Sequence, residues 1–137
     1  MANHDGYGKT LLDRVTGGRC NFHGASVETN HGVGGACRID GAMANIAIEV
    51  ESRTAKQVRG AILDLILHRF PKKLLILLPV HMNVRIERDR CAAILRRFCA
   101  EEDFQVIALS GHAEKPDFET DAPLLIGALS QLGFQPS

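Results

Sequence analysis

The stretch RIDGAMANIAIEVES, Arg38 to Ser52, sets three carboxylates, Asp40, Glu49 and Glu51, into the alternating pattern of a β-hairpin. Ile46, Ile48 and Val50 alternate with Ala47, Glu49 and Glu51, the period of a strand with one apolar and one polar face. Both glutamates therefore leave the strand on the same side. With Ala44-Asn45 as a two-residue turn, Asp40 lies directly opposite Glu49 and all three acids converge; with Asp40-Gly41 as the turn, Asp40 is separated from the others. Like charges facing one another in a sheet repel, and a carboxylate packed beside a core resists ionisation unless a positive group joins it. A hard divalent cation resolves that conflict. Mg²⁺ or Mn²⁺ takes oxygen ligands, usually one or two carboxylates, and keeps other positions for water and phosphate. The plainer use of Glu49 and Glu51 is a solvated strand face paired with neighbours such as Arg53.

The segment after the hairpin suits an anionic ligand. TAKQVRGAILDLILHRF, Thr54 to Phe70, places Val58, Ile62, Leu65, Ile66 and Phe70 on one helical face, and Thr54 with Gln57 forms a capping-box pattern. This helix begins beside the acids. Its N-terminal end carries positive partial charge, and Arg53, Lys56 and Gln57 lie in or near its first turn, where they can meet a phosphate. As ordinary surface residues, Lys56 and Arg59 would simply be solvated.

The remaining elements follow from periodicity. KKLLILLPV, Lys72 to Val80, is a continuous apolar run of the kind expected of a central strand covered on both faces. With the helix before it, this makes a βαβ crossover. A helix from about Ile86 to Ala100, with Cys91, Leu95, Phe98 and Cys99 inward, leads to a buried strand in Phe104 to Gly111. A last helix runs from about Ala122 to Leu132 and ends at Gly133. The fold class is α/β, a mixed sheet with an antiparallel hairpin and parallel crossover strands, flanked by helices. Residues 1–35 hold eight of the thirteen glycines and read as irregular, apart from a short helix, Lys9 to Val15, stopped by Gly17 and Gly18.

A length of 137 residues with 45% apolar composition suits one domain, 1–137, with room for a core. The longest apolar run is too short to span a bilayer, and MANHDGYGKT has no apolar signal core, so the expectation is a cytoplasmic protein with reduced thiols and no membrane association. Formal net charge is zero, but the charges are sorted. From Arg53 to Arg97 eleven basic residues face three acids, a net +8, whereas Glu101 to Ser137 holds seven acids against one lysine, a net −6. A chain sorted in this way can turn one positive surface toward a polyanion.

Taken together, Asp40, the pair Glu49-x-Glu51 and the order hairpin, helix, strand from Gly35 to Val80 resemble the restriction-endonuclease-like, or PD-(D/E)XK, nuclease superfamily. The likeness covers roughly three quarters of the chain by topology and three residues by motif. It implies Mg²⁺- or Mn²⁺-dependent hydrolysis of phosphodiester bonds in DNA. Asp40 and Glu49 would be the metal ligands, Glu51 a catalytic partner, and Lys56 a substitute for the lysine that the family usually carries at the place of Glu51. A minority of restriction enzymes resemble this sequence in having glutamate there. Ile39 stands where the family has proline. The alternative is a noncatalytic nucleic-acid-binding or assembly protein with the same fold, since the chain is short for a nuclease with its own sequence-reading apparatus. Cutting both strands is simplest with two active sites, which favours a homodimer.

A separate reading groups Cys20, His23, His31 and Cys37 as zinc ligands, because thiolates and imidazoles suit zinc and CNFH offers two donors close together. Their spacing matches no familiar finger. His68, His81 and His112 stand alone in the sequence and read as structural or surface residues; His81, after the central strand, is the one with a route toward the acids.

Overall fold

In the computed structural model, which describes residues 4–22, 28–30, 36–53 and 56–135, the chain is an α/β fold with a four-stranded mixed sheet. The first helix, α1, spans His4–Val15; the strands are β1 Glu28–Asn30, β2 Ala36–Arg38, β3 Gly41–Met43 and β4 Ile46–Glu51. Then come α2 Lys56–Leu67, β5 Lys72–Leu77, α3 Val84–Leu95, β6 Phe104–Ala108 and α4 Phe118–Gln131. Strands β3, β4, β5 and β6 lie side by side in that order, with β3 antiparallel to β4 and the other pairs parallel. Strands β1 and β2 form a separate antiparallel pair.

The hairpin register is the one that the Ala44-Asn45 turn dictates: Gly41 opposes Ile48, Ala42 opposes Ala47 and Met43 opposes Ile46. Ala44 takes a positive φ of 50°, the left-handed conformation that two-residue hairpin turns demand. Pairing β4 with β3 on one side and β5 on the other makes it an interior strand, and all six of its residues are buried. Its two faces meet different helices. Ile46, Ile48 and Val50 join Leu74, Ile76 and Ile107 in a core with Tyr7, Leu11 and Leu12 of α1 and Leu125 and Leu129 of α4. Ala47, Leu75 and Leu77 pack on the opposite face against Val58, Ile62 and Leu65 of α2 and Cys91 and Leu95 of α3. The sheet is thus sandwiched between two pairs of helices, the arrangement that buries a parallel sheet on both faces.

Several boundaries differ from the sequence expectations. Helix α1 begins at His4, well before Lys9, because Tyr7 and Gly8 continue the buried stripe of Leu11 and Leu12; the expected stop holds, with Gly17 and Gly18 at φ of 62° and 78°. A Cβ on Gly8 would lie 2.6 Å from Val50 Cγ1, so its lack of a side chain lets α1 approach β4 closely. Helix α3 ends at Leu95, so Phe98 falls beyond it and is 64% exposed, not inward. Helix α4 starts at Phe118 because Asp117 caps it, its side chain accepting from the Thr120 amide at 3.3 Å; Pro123 therefore lies inside the helix and does not open it. Thr54, half of the expected capping box, lies outside the described residues, as do His23 and His31; the side chain of Cys37 is likewise not described. Cys20 is buried and free, and burial pushes its thiol up to about 12. Among the described residues no helix is long and apolar enough to cross a membrane.

Candidate functional site

The hairpin and α2 enclose an acidic cleft of about 280 Å³, whose lining includes Asp5, Asp40, Glu49, Glu51, Arg53 and Asp64. Five carboxylates share this space with two arginines, Arg38 and Arg53. The polar face of β4 is therefore not a solvated strand face. Glu49 and Glu51 are only 7% and 4% exposed, because β4 is interior and α2 packs over that side of the sheet.

Asp40 and Glu49 hold one another where the β3–β4 ladder ends. The Asp40 amide donates to Glu49 Oε1 at 2.7 Å, and Asp40 Oδ2 accepts from the Val50 amide at 2.7 Å. Side chains thus take over the cross-strand bonding beyond Gly41. Each carboxylate spends one oxygen on a backbone amide and keeps a second. Asp40 Oδ1 lies 3.8 Å from Lys9 Nζ. Burial pushes the Glu49 carboxyl from its ordinary 4.5 up to about 9, and the charge of Asp40 adds to the rise. Asp40 is raised as well, by burial first, while the Val50 amide and Lys9 oppose the shift.

Glu51 is differently occupied. Its Oε2 accepts from the amides of Ser52 and Arg53 at 3.0 and 2.8 Å, and the Arg53 guanidinium grips both its oxygens at 3.1 and 3.2 Å. The forked geometry fits a planar guanidinium to a carboxylate, and the Arg53 charge is stabilised by that contact. Asp5, from α1, accepts from Ser52 Oγ at 3.1 Å, and burial raises its carboxyl also.

Of the residues singled out from sequence, Asp40, Glu49, Glu51, Arg53 and Gln57 come together in the cleft. Lys56 is exposed on the first turn of α2 and does not line it. Asp5, Arg38 and Asp64 were not anticipated. For Asp64, seven residues after Gln57 on the same helix, the two-turn spacing was a readable signal; for Asp5 the signal was the continued stripe of α1.

Protein-family models, characterised proteins and solved structures show no match to this chain.

The lone histidines also need correction. His4, at the start of α1, stands edge-on to His112 at 5.2 Å between ring centroids and to His81 at 6.4 Å. His81 and His112 are therefore not isolated. His68, by contrast, is buried, and its Nδ1 accepts from the Phe70 amide at 3.1 Å, which is a structural role.

Proposed function

We propose that the chain is a divalent-cation-dependent nuclease of the restriction-endonuclease-like kind, with Asp40 and Glu49 holding Mg²⁺ or Mn²⁺ and DNA as the substrate. The observation that carries this reading is the pairing of Asp40 with Glu49: two carboxylates crowded by burial until they resist ionisation, each with an oxygen to spare. A hard cation relieves both the repulsion and the loss of hydration, so the donor set fits the ion. The order of antiparallel hairpin, helix and parallel strand supports the same family reading.

When bound, such an ion neutralises charge on a scissile phosphate and makes a bound water more acidic. The chain's own groups have separable tasks. Arg53, with its side chain 60% exposed at the cleft, is available to brace a phosphate, although it must share its guanidinium with Glu51. Gln57 lines the same mouth, and Lys56 and Arg59 extend the positive surface along the exposed side of α2. Glu51, held by four N–H donors, orients Arg53 and would act as the proton acceptor.

One observation favours the second reading, a noncatalytic nucleic-acid-binding relative. The guanidinium of Arg53 holds both oxygens of Glu51, the position usually filled by lysine in the family. Incubating the purified protein with plasmid and single-stranded DNA, with and without Mg²⁺ or Mn²⁺, separates the two. Cleavage that needs metal and disappears in Asp40→Ala and Glu49→Ala supports the nuclease; DNA binding indifferent to metal, without cleavage, supports the relative. Cleavage unchanged in both variants would remove the cleft from the reaction.

A further inference from the structure

The acidic cleft offers only oxygen donors, but a second cluster on the molecule offers nitrogen. Among the described residues, His4, His112 and Glu114 each bring one ligand atom within 4.8 Å of the others. They come from distant parts of the sequence. His4 opens α1, whereas His112 and Glu114 share a tight turn after β6, closed by reciprocal backbone bonds of 3.1 Å between His112 and Lys115. His81 leaves the end of β5, so the cluster lies where loops follow the carboxyl ends of parallel strands, a recurrent place for ligands in α/β sheets.

The geometry points to a binding site for a borderline transition ion of the zinc class, ligated by His4, His112 and Glu114. His4 Nε2 lies 3.7 Å from Glu114 Oε1. Ligands about 2.0–2.1 Å from a tetrahedral ion stand about 3.4 Å apart, so this pair needs little movement. The widest separation in the triad, which is at most 4.8 Å and involves His112, must close by up to about 1.4 Å.

A simple His4–Glu114 ion pair needs a charged ring in a largely covered place. His4 has a side chain only 13% exposed, and its Nδ1 is buried with no hydrogen-bond partner among the described residues. Protonating the ring would bury an unsatisfied N–H, and leaving it neutral still leaves one ring nitrogen short of a partner. One ion takes only one nitrogen of a ring: ligation through Nε2, the nitrogen that faces Glu114, keeps the ring uncharged and leaves Nδ1 as its N–H. His112 Nδ1 accepts from the Glu114 amide at 3.3 Å, so an ion on that nitrogen takes the place of this contact. That contact is long enough for an ion to displace.

Two imidazoles and one carboxylate favour zinc, cobalt or nickel over Mg²⁺ and leave a fourth position for water or for the exposed His81 ring. An ion there ties the start of α1 to the turn after β6. Asp5, the next residue of α1, lines the acidic cleft, so the tie also steadies one wall of it. The site is independent of the nuclease reading.

Tag-free protein stripped with chelator and titrated calorimetrically with ZnCl₂ tests the site. One ion per chain should bind, with a dissociation constant of about 1 μM or tighter. His112→Ala and Glu114→Ala, both on the turn after β6, should each weaken binding at least about tenfold while keeping the wild-type circular dichroism. Zinc should raise the melting temperature of the wild type and not of His112→Ala. No saturable binding by the wild type, or equal affinity in both turn variants, would overturn the proposal; equal affinity combined with loss in Cys20→Ser would move the ion to the cysteines.

Discussion

The amide of Asp40 donates to Glu49 Oε1 at 2.7 Å across the end of the β3–β4 ladder, so the two acids are locked together by backbone as well as crowded by burial. Their protonation is the first measurable consequence. Between the ordinary glutamate value of 4.5 and about 9, folded Glu49 keeps a proton that the unfolded chain has lost. Its contribution to stability is fully present below 4.5 and is lost as pH rises through 9. Glu49→Gln keeps an oxygen for the Asp40 amide and has no proton to lose. In EDTA its melting temperature should exceed that of the wild type at pH 8 by at least about 4 °C, with little difference at pH 4. Equal melting of the two proteins at both pH values would mean that Glu49 ionises normally.

A cation entering the cleft must displace the Glu49 proton. Affinity for Mg²⁺ or Mn²⁺ should therefore rise with pH toward about 9, and binding should release protons. Calorimetric titrations in two buffers of different ionisation enthalpy read the proton count directly. Asp40→Asn should abolish the signal; heats independent of buffer would show that no proton is displaced.

The close approach of α1 to β4 depends on Gly8. In Gly8→Ala the new methyl meets Val50 Cγ1 at 2.6 Å, which should cost about 1–3 kcal/mol in urea denaturation. Asp5 and Lys9 ride on the same helix, so Mg²⁺ affinity should fall with stability. Gly127→Ala, where the added atom meets nothing within 4 Å in the middle of α4, should instead stabilise by about 0.5–1 kcal/mol. Stabilisation by both substitutions would show that helix propensity, not packing, governs both positions.

Tyr7 links α1 to the opposite end of the chain. Its hydroxyl donates to Asp121 Oδ2 at 2.7 Å and accepts from the Asp117 amide at 3.1 Å, and burial together with the Asp121 contact pushes the phenol up to about 12. Asp121 is fully buried and also accepts from the amides of Ser110 and Gly111 at 2.8 and 3.0 Å. Tyr7→Phe removes one donor from a buried carboxylate and should cost about 1.5–3 kcal/mol by denaturation. A cost near zero would mean that the two amides and the Ser110 hydroxyl, which donates to Asp121 Oδ1 at 3.1 Å, satisfy Asp121 without it.

The hairpin was readable because its information is local. Alternation at Ile46, Ile48 and Val50 fixes which side chains share a face, and a two-residue turn fixes the register, so the meeting of Asp40 with Glu49 follows from covalent spacing once the turn is chosen. The parallel strands were readable as apolar runs bounded by helices. Helix ends were less so: the last helix reads as starting at about Ala122, but the cap at Asp117 starts it at Phe118. Lys56 was placed near the acids by its position in the chain, whereas the direction of α2 turns Gln57 and Asp64 to the cleft and leaves Lys56 in solvent.

By itself the sequence determined the order of elements from the β3–β4 hairpin onward and the face shared by Glu49 and Glu51, since each depends on periods of two or 3.6 residues along a continuous backbone; the structure chose the Ala44-Asn45 turn that sets Asp40 beside Glu49, and it added the β1–β2 pair. Only the tertiary structure decided that α2 covers the acids, that Arg53 holds Glu51, that Asp5 joins them, and that His4 reaches His112 and Glu114. Those contacts join residues up to 110 positions apart. They exist because strand order and helix packing bring separate loops to one edge of the sheet, and no local period encodes that.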